Sequence, residues 1–220
     1  MVGFFIFIGL VVVILVLAYF TEKKRTEKIQ EVAKGLGLAF SKKATDIVLD
    51  VMHQFKLFNL GRSNSRQAYN HMIGHQNGID MQVFDYRYTV GHGKSSSTYN
   101  QTVLFIESPR LQLPTFHMAP EDIFSRLGTK LGMQDIDFDS HPDFSKKYLL
   151  KGSNEALVRQ FFTQPILNFF EQDHTKWYFE GLGQQMILYR RNKRMKPDDY
   201  TNFIKRGLAF YQLFTQQKAQ

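Results

Sequence analysis

Residues 69–90 read YNHMIGHQNGIDMQVFDYRYTV, and this stretch decides the fold class. Asn77-Gly78 is the dipeptide favoured in tight hairpin turns, whose central positions need positive φ. The flanks, residues 69–75 and 79–90, are expected as paired antiparallel strands. Ile79, Met81 and Val83 alternate on one face. Phe84, Tyr86 and Tyr88 continue in the opposite phase, which implies either a bulge or two covered faces.

Outward from the hairpin, residues 91–97 (GHGKSSS) form a polar loop, and the apolar run 102–106 is expected as a central buried strand. Pro109, Pro114 and Pro120 should divide the next segment into short extended pieces. Residues 121–131 are expected as a short helix and 148–151 as a strand. Residues 154–170 carry a thick apolar stripe, including Leu157, Val158, Phe161, Phe162, Ile166, Phe169 and Phe170, with Pro165 predicted to kink that helix. A second hairpin is expected from 176–180 and 186–190 around Gly181-Leu182-Gly183. The last helix opens on Pro197 with Asp198 and Asp199 in its first turn, and its apolar face is Tyr200, Phe203, Ile204, Tyr211 and Phe214. Toward the N-terminus, residues 36–41 suit a short strand. Residues 44–55 suit an amphipathic helix through Ile47, Val48, Val51, Met52 and Phe55. The pattern predicts an α+β fold: a mainly antiparallel sheet with packing helices, preceded by one N-terminal transmembrane helix.

That first helix is read from residues 2–20, nineteen positions without charge or proline. At about 1.5 Å per residue they reach roughly 28 Å, close to the hydrocarbon thickness of a bilayer. The run lacks a basic leader, exceeds the usual apolar length of a signal peptide and has no small-residue cleavage site, so a retained anchor is expected. Lys23, Lys24, Arg25 and Lys28 follow it, which by the positive-inside rule puts the rest of the chain in the cytoplasm. The expected division is residues 1–20 as anchor, 21–35 as a juxtamembrane helix ended by Gly35 and Gly37, and 36–220 as the cytoplasmic domain.

Twenty-one Phe, ten Tyr and one Trp in 220 residues predict a dense aromatic core. Zero cysteine excludes disulfides, thiolate metal sites and cysteine nucleophiles in this chain. The net charge of +8 lies wholly outside the apolar run, and beside an anchor it reads as attraction to anionic headgroups, with nucleic acid as the alternative.

Gly91-His92-Gly93-Lys94-Ser95 resembles a phosphate loop only superficially, because Tyr88 occupies the position of the first required glycine. Asp135, Asp137 and Asp139 alternate ahead of His141. An extended segment would bring alternate carboxylates to one side, so Asp137, Asp139 and His141 define a metal-dependent hydrolase as the competing reading. The calcium-loop pattern fails at Ser140 and Lys146, and solvated aspartates on an edge strand are the simpler expectation. His71 and His75 share a strand face but lie some 13 Å apart, too far for one metal. A second basic cluster holds Arg190, Arg191, Lys193 and Arg194 (with Lys196 beyond it) before the last helix. It is expected either to touch anionic lipid or a partner on the anchor's side, or to be a solvated turn.

Several phrases carry a resemblance: Phe84-Asp85-Tyr86-Arg87-Tyr88, Leu111-Gln112-Leu113-Pro114, Gln134-Asp135-Ile136-Asp137-Phe138, His141-Pro142-Asp143-Phe144-Ser145, Tyr148-Leu149-Leu150-Lys151-Gly152 and Trp177-Tyr178-Phe179-Glu180-Gly181. Over residues 55–214 the chain resembles an uncharacterised family of bacterial single-pass membrane-anchored proteins. The resemblance implies a bacterial inner-membrane setting and supplies no activity or catalytic residues. The functional expectation is a membrane-tethered cytoplasmic binding, scaffold or accessory-subunit domain. It needs no cofactor, has lipid and a protein as partners, and does not bind nucleic acid; an anionic-lipid-binding module is a further alternative.

Overall fold

The helix read from residues 2–20 continues past the apolar run without a break, as α1, over Val2–Gly35. The protein is seen here as a computed structural model that describes residues 2–121 and 135–216. From Phe4 to Phe20 the side chains of α1 are exposed, Tyr19 being 66% exposed. It is a helix long and apolar enough to cross a membrane. Further along, Ile29 and Ala33, one turn apart, are buried in the core. The helix ends in a Schellman motif: Leu38 N–H donates to Ala33 O (2.9 Å) and Gly37 N–H to Lys34 O (3.1 Å), with Gly37 at φ +70°.

The chain then builds one eight-stranded sheet. Strands β1 (Ala39–Lys43), β2 (Gln67–Gln76), β3 (Ile79–Val90) and β4 (Ser97–Glu107) form a meander. Strands β5 (Leu113–Pro120), β6 (Tyr148–Gly152), β7 (Tyr178–Gly183) and β8 (Gln185–Tyr189) complete it in the order β1-β2-β3-β4-β8-β7-β5-β6. Every neighbouring pair is antiparallel. The helices are α2 (Thr45–Met52), α3 (Pro142–Lys147), α4 (Glu155–Phe161), α5 (Gln164–Gln172) and α6 (Tyr200–Thr215). This is the α+β architecture that the sequence predicts.

The change of phase in β3 reflects two covered faces. Its pairing with β4 is continuous from Asp80↔Glu107 to Val90↔Ser97. Val83, Leu104 and Ile106 face a core closed by α1, α3, α4, α5 and α6. Phe84, Tyr86, Tyr88, Val103 and Phe105 face another core, closed by α2 and the turn Lys56–Asn59. Central strands buried on both sides lose the simple in–out alternation. The aromatic core is as dense as the composition suggests: Phe116 stacks on Phe179 at 5.6 Å and Phe170 on Phe210 at 5.3 Å.

Four local expectations are corrected. Pro114 lies inside β5, tolerated because the β5–β7 register shifts between Leu113 and Phe116 just where its missing N–H falls. Pro165 breaks the expected long helix instead of kinking it: α4 ends at Phe161 and Pro165 opens α5. Gly181 is within β7, where the Phe116 ring fills the space a Cβ would need, and the turn is at Gly183 and Gln184. Residues 135–138 form no strand; they lie as irregular chain before the turn that leads into α3. The helix expected over 121–131 falls outside the described residues, apart from Glu121.

Candidate functional site

The polar chemistry of the domain gathers where α1 meets the sheet. Asp85 lies in β3 on the same face as Val83, so its carboxylate points beneath α1, and it is fully buried. Arg25 of α1 reaches it with Nη1 to Oδ2 at 2.5 Å and Nη2 to Oδ1 at 3.3 Å. The register sets Thr102 of β4 opposite Asp85, and its hydroxyl donates to Oδ1 at 2.7 Å. A bulge in β2, with Asn70 at φ +51°, turns the Asn70 amide inward to donate to Oδ2 at 3.0 Å. Tyr200 at the start of α6 donates to Oδ1 at 3.1 Å. Burial, and then the Asp85 charge, push the Tyr200 phenol above its ordinary range, so it stays a donor.

The loop between β8 and α6 joins the same network. Arg25 Nη2 donates to Met195 O at 2.9 Å, and Met195 N–H donates to Thr102 Oγ1 at 2.8 Å. One carboxylate thus ties together α1, β2, β3, β4 and α6. A buried ion is tolerable only when its lone pairs are filled this completely.

A second contact lies nearer the apolar run. Arg194 makes a forked pair with Glu22, Nη1 to Oε2 at 2.8 Å and Nη2 to Oε1 at 2.6 Å. That bond to Glu22 holds the Arg194 guanidinium above its usual range. Around this pair runs a groove of about 770 Å³, lined on α1 by Tyr19, Glu22 and Lys23, on β1 by Lys42 and Lys43, and on β3 by Arg87.

The residues singled out from sequence are distributed as follows. Within the second basic cluster, Arg194 meets α1, while Arg191 stacks on the Tyr99 ring with Cζ at 4.2 Å from its centroid. Lys193 is exposed and Arg190 half-buried. Asp137 and Asp139 are exposed, whereas His141 is buried, with Nδ1 3.0 Å from Ser140 Oγ and Nε2 3.2 Å from Asn168 Oδ1. Among the described residues no group of three or more His, Asp or Glu is arranged to hold a metal ion. His71 is buried against Gln82, and His75 pairs with Asp80 at the surface. Glu180, also buried, accepts the Lys56 and Leu57 N–H groups at 2.6 and 3.1 Å, with His117 Nδ1 3.6 Å away. It fastens the turn Lys56–Asn59 to the sheet.

Asp85 and Glu180 were not singled out in the sequence. The available signal was a lone acid amid strand-forming aromatics, at positions 84–86 and 177–180. Arg25 is read from sequence as a topology charge, and its partner sixty positions away has no local signature.

Fold and site together define a class: an antiparallel α+β domain clamped onto the end of a helix able to cross a membrane. No family model matches the chain, and no curated protein matches it. Among solved structures, the crystal structure of the mycobacterial trehalose monomycolate transport factor A, TtfA, is similar, with a TM-score of 0.57 over 82% of this chain and 89% of that one. Sequence identity is 9%, so the likeness is one of fold.

Proposed function

We propose that this chain is a membrane-tethered accessory or binding domain, held on the cytoplasmic face of a bacterial inner membrane, that serves its process by engaging a membrane partner. The observation that carries this reading is the buried Arg25–Asp85 network, which joins the anchor helix to the sheet. A domain that needed only to be kept near a membrane would be served by a flexible linker. Here the helix itself enters the core through Ile29 and Ala33, so the anchor fixes which surface the domain presents. The basic flank of the apolar run supports the cytoplasmic side. A mycobacterial transport factor has the same fold, which supports an accessory role in a process at the membrane.

The test is chemical crosslinking in a cell that naturally carries the protein, followed by purification of the full chain in mild detergent. The expected result is one membrane protein recovered at fixed stoichiometry. Recovery of the crosslinked chain alone would overturn the reading. A reporter fused after residue 220 should be active only in the cytoplasm.

A further inference from the structure

The groove beside α1 is rich in cations and opens where the apolar run ends. Lys23, Lys42, Lys43, Arg87 and Arg194 line it together with Glu22 and Glu27. Since Glu22 is taken up by Arg194, four cations face the single carboxylate of Glu27. Lys23, Lys42 and Lys43 are exposed and make no ion pair among the described residues. Arg87 gives one N–H to Gln67 Oε1 and makes no ion pair among the described residues.

We propose that this groove holds the phosphate headgroup of an anionic phospholipid from the leaflet in which α1 ends. The inference rests on the reading of α1 as a membrane span, and it names a ligand for the groove. Two features favour a lipid over a soluble phosphate. Tyr19 stands on the rim, and a tyrosine at the end of a span sits at headgroup level with its ring toward the acyl chains. Helix α2, whose first residue Thr45 also lines the groove, leaves Ile47 and Val51 one turn apart and 55% and 38% exposed. Cations beside uncovered aliphatic side chains suit a ligand that is itself anionic and apolar. The volume of about 770 Å³ accommodates a headgroup.

The experiment is native mass spectrometry of the full chain in neutral detergent, titrated with phosphatidylglycerol or phosphatidylcholine. The wild-type chain should retain one phosphatidylglycerol at concentrations where phosphatidylcholine is released. Lys42→Glu/Lys43→Glu should weaken that retention about tenfold or more, while Lys146→Glu, beside β6 at the other edge of the sheet, leaves it unchanged. Lys42→Gln/Lys43→Gln removes the charges from an exposed strand without reversing them and should weaken retention several-fold. Equal retention of the two lipids, or undiminished phosphatidylglycerol in the Gln pair, overturns the site. Displacement of the lipid by millimolar inorganic phosphate assigns the groove to a soluble anion and overturns the lipid. Partner capture is measured on the same preparations. A wild-type chain without lipid preference that still captures its partner ends the headgroup site alone, and lipid preference without a partner ends only the accessory reading.

Discussion

Asp85 is the residue on which the junction turns, because the cost of burying a charge falls on whichever partner is left behind. Removing Arg25 strands a buried carboxylate, and removing Asp85 strands Arg25, Asn70, Thr102 and Tyr200. Either Arg25→Ala or Asp85→Ala should destabilise the domain by about 3–5 kcal/mol, read as a shift in the denaturation midpoint in detergent. Glu22→Ala breaks a half-exposed pair and should cost no more than about 1 kcal/mol. Equal losses at the two sites would refute the ranking. Asp135 supplies a pH signature: burial, and then the neighbouring Asp137, raise its carboxyl from 3.8 to about 6. The folded chain therefore keeps a proton that the unfolded chain has already released, so stability should fall as pH climbs from about 4 to about 6. Asp135→Asn keeps an acceptor for the Ile136 and Leu150 N–H groups and should flatten that decline. Identical pH slopes in the two proteins would contradict the assignment. None of these residues announces its role in sequence, since Arg25 and Asp85 meet only after the sheet has formed and α1 has docked.

Among the elements, α6 packs on β4 through Gly207, against the side chain of Leu104. A Cβ built on that glycine would stand 1.7 Å from Leu104 Cδ2, so the buried Leu104 side chain would have to shift within the core. Gly207→Val should lift α6 from β4 and cost about 1–3 kcal/mol, seen as a lower melting temperature with earlier hydrogen exchange along α6. A substitution tolerated without loss would mean that the helix rides higher than described. Elements with local signals were legible in advance: the Asn77-Gly78 hairpin, the central strand through Val103 and Phe105, and the α6 face all lie where spacing put them. Elements whose ends depend on distant neighbours were not. Pro114 sits in a strand because the facing register slips, and Gly181 does so because a phenylalanine ring covers it. Glycine and proline mark possible turns in sequence, but tertiary packing decides which of them sit in one.

At the scale of the whole molecule, the sequence makes both the apolar run and the α+β domain visible, but not their union. That union depends on a helix that stays intact for 34 residues and on a buried ion pair with no sequence motif. It positions the electropositive groove at the end of the apolar run, and the headgroup proposal depends on this placement. The chain contains no cysteine, so single labels can be introduced without background. The most direct measurement is the depth of spin labels at Leu15→Cys, Lys42→Cys and Lys146→Cys in the full chain in nanodiscs, read by relaxation with a polar agent and with oxygen. Position 15 should be reached by oxygen alone, position 42 should lie at headgroup depth, and position 146 should be in bulk water. A label at position 42 as accessible to the polar agent as one at 146 would show that the domain is not seated against the membrane at the exit of its own helix.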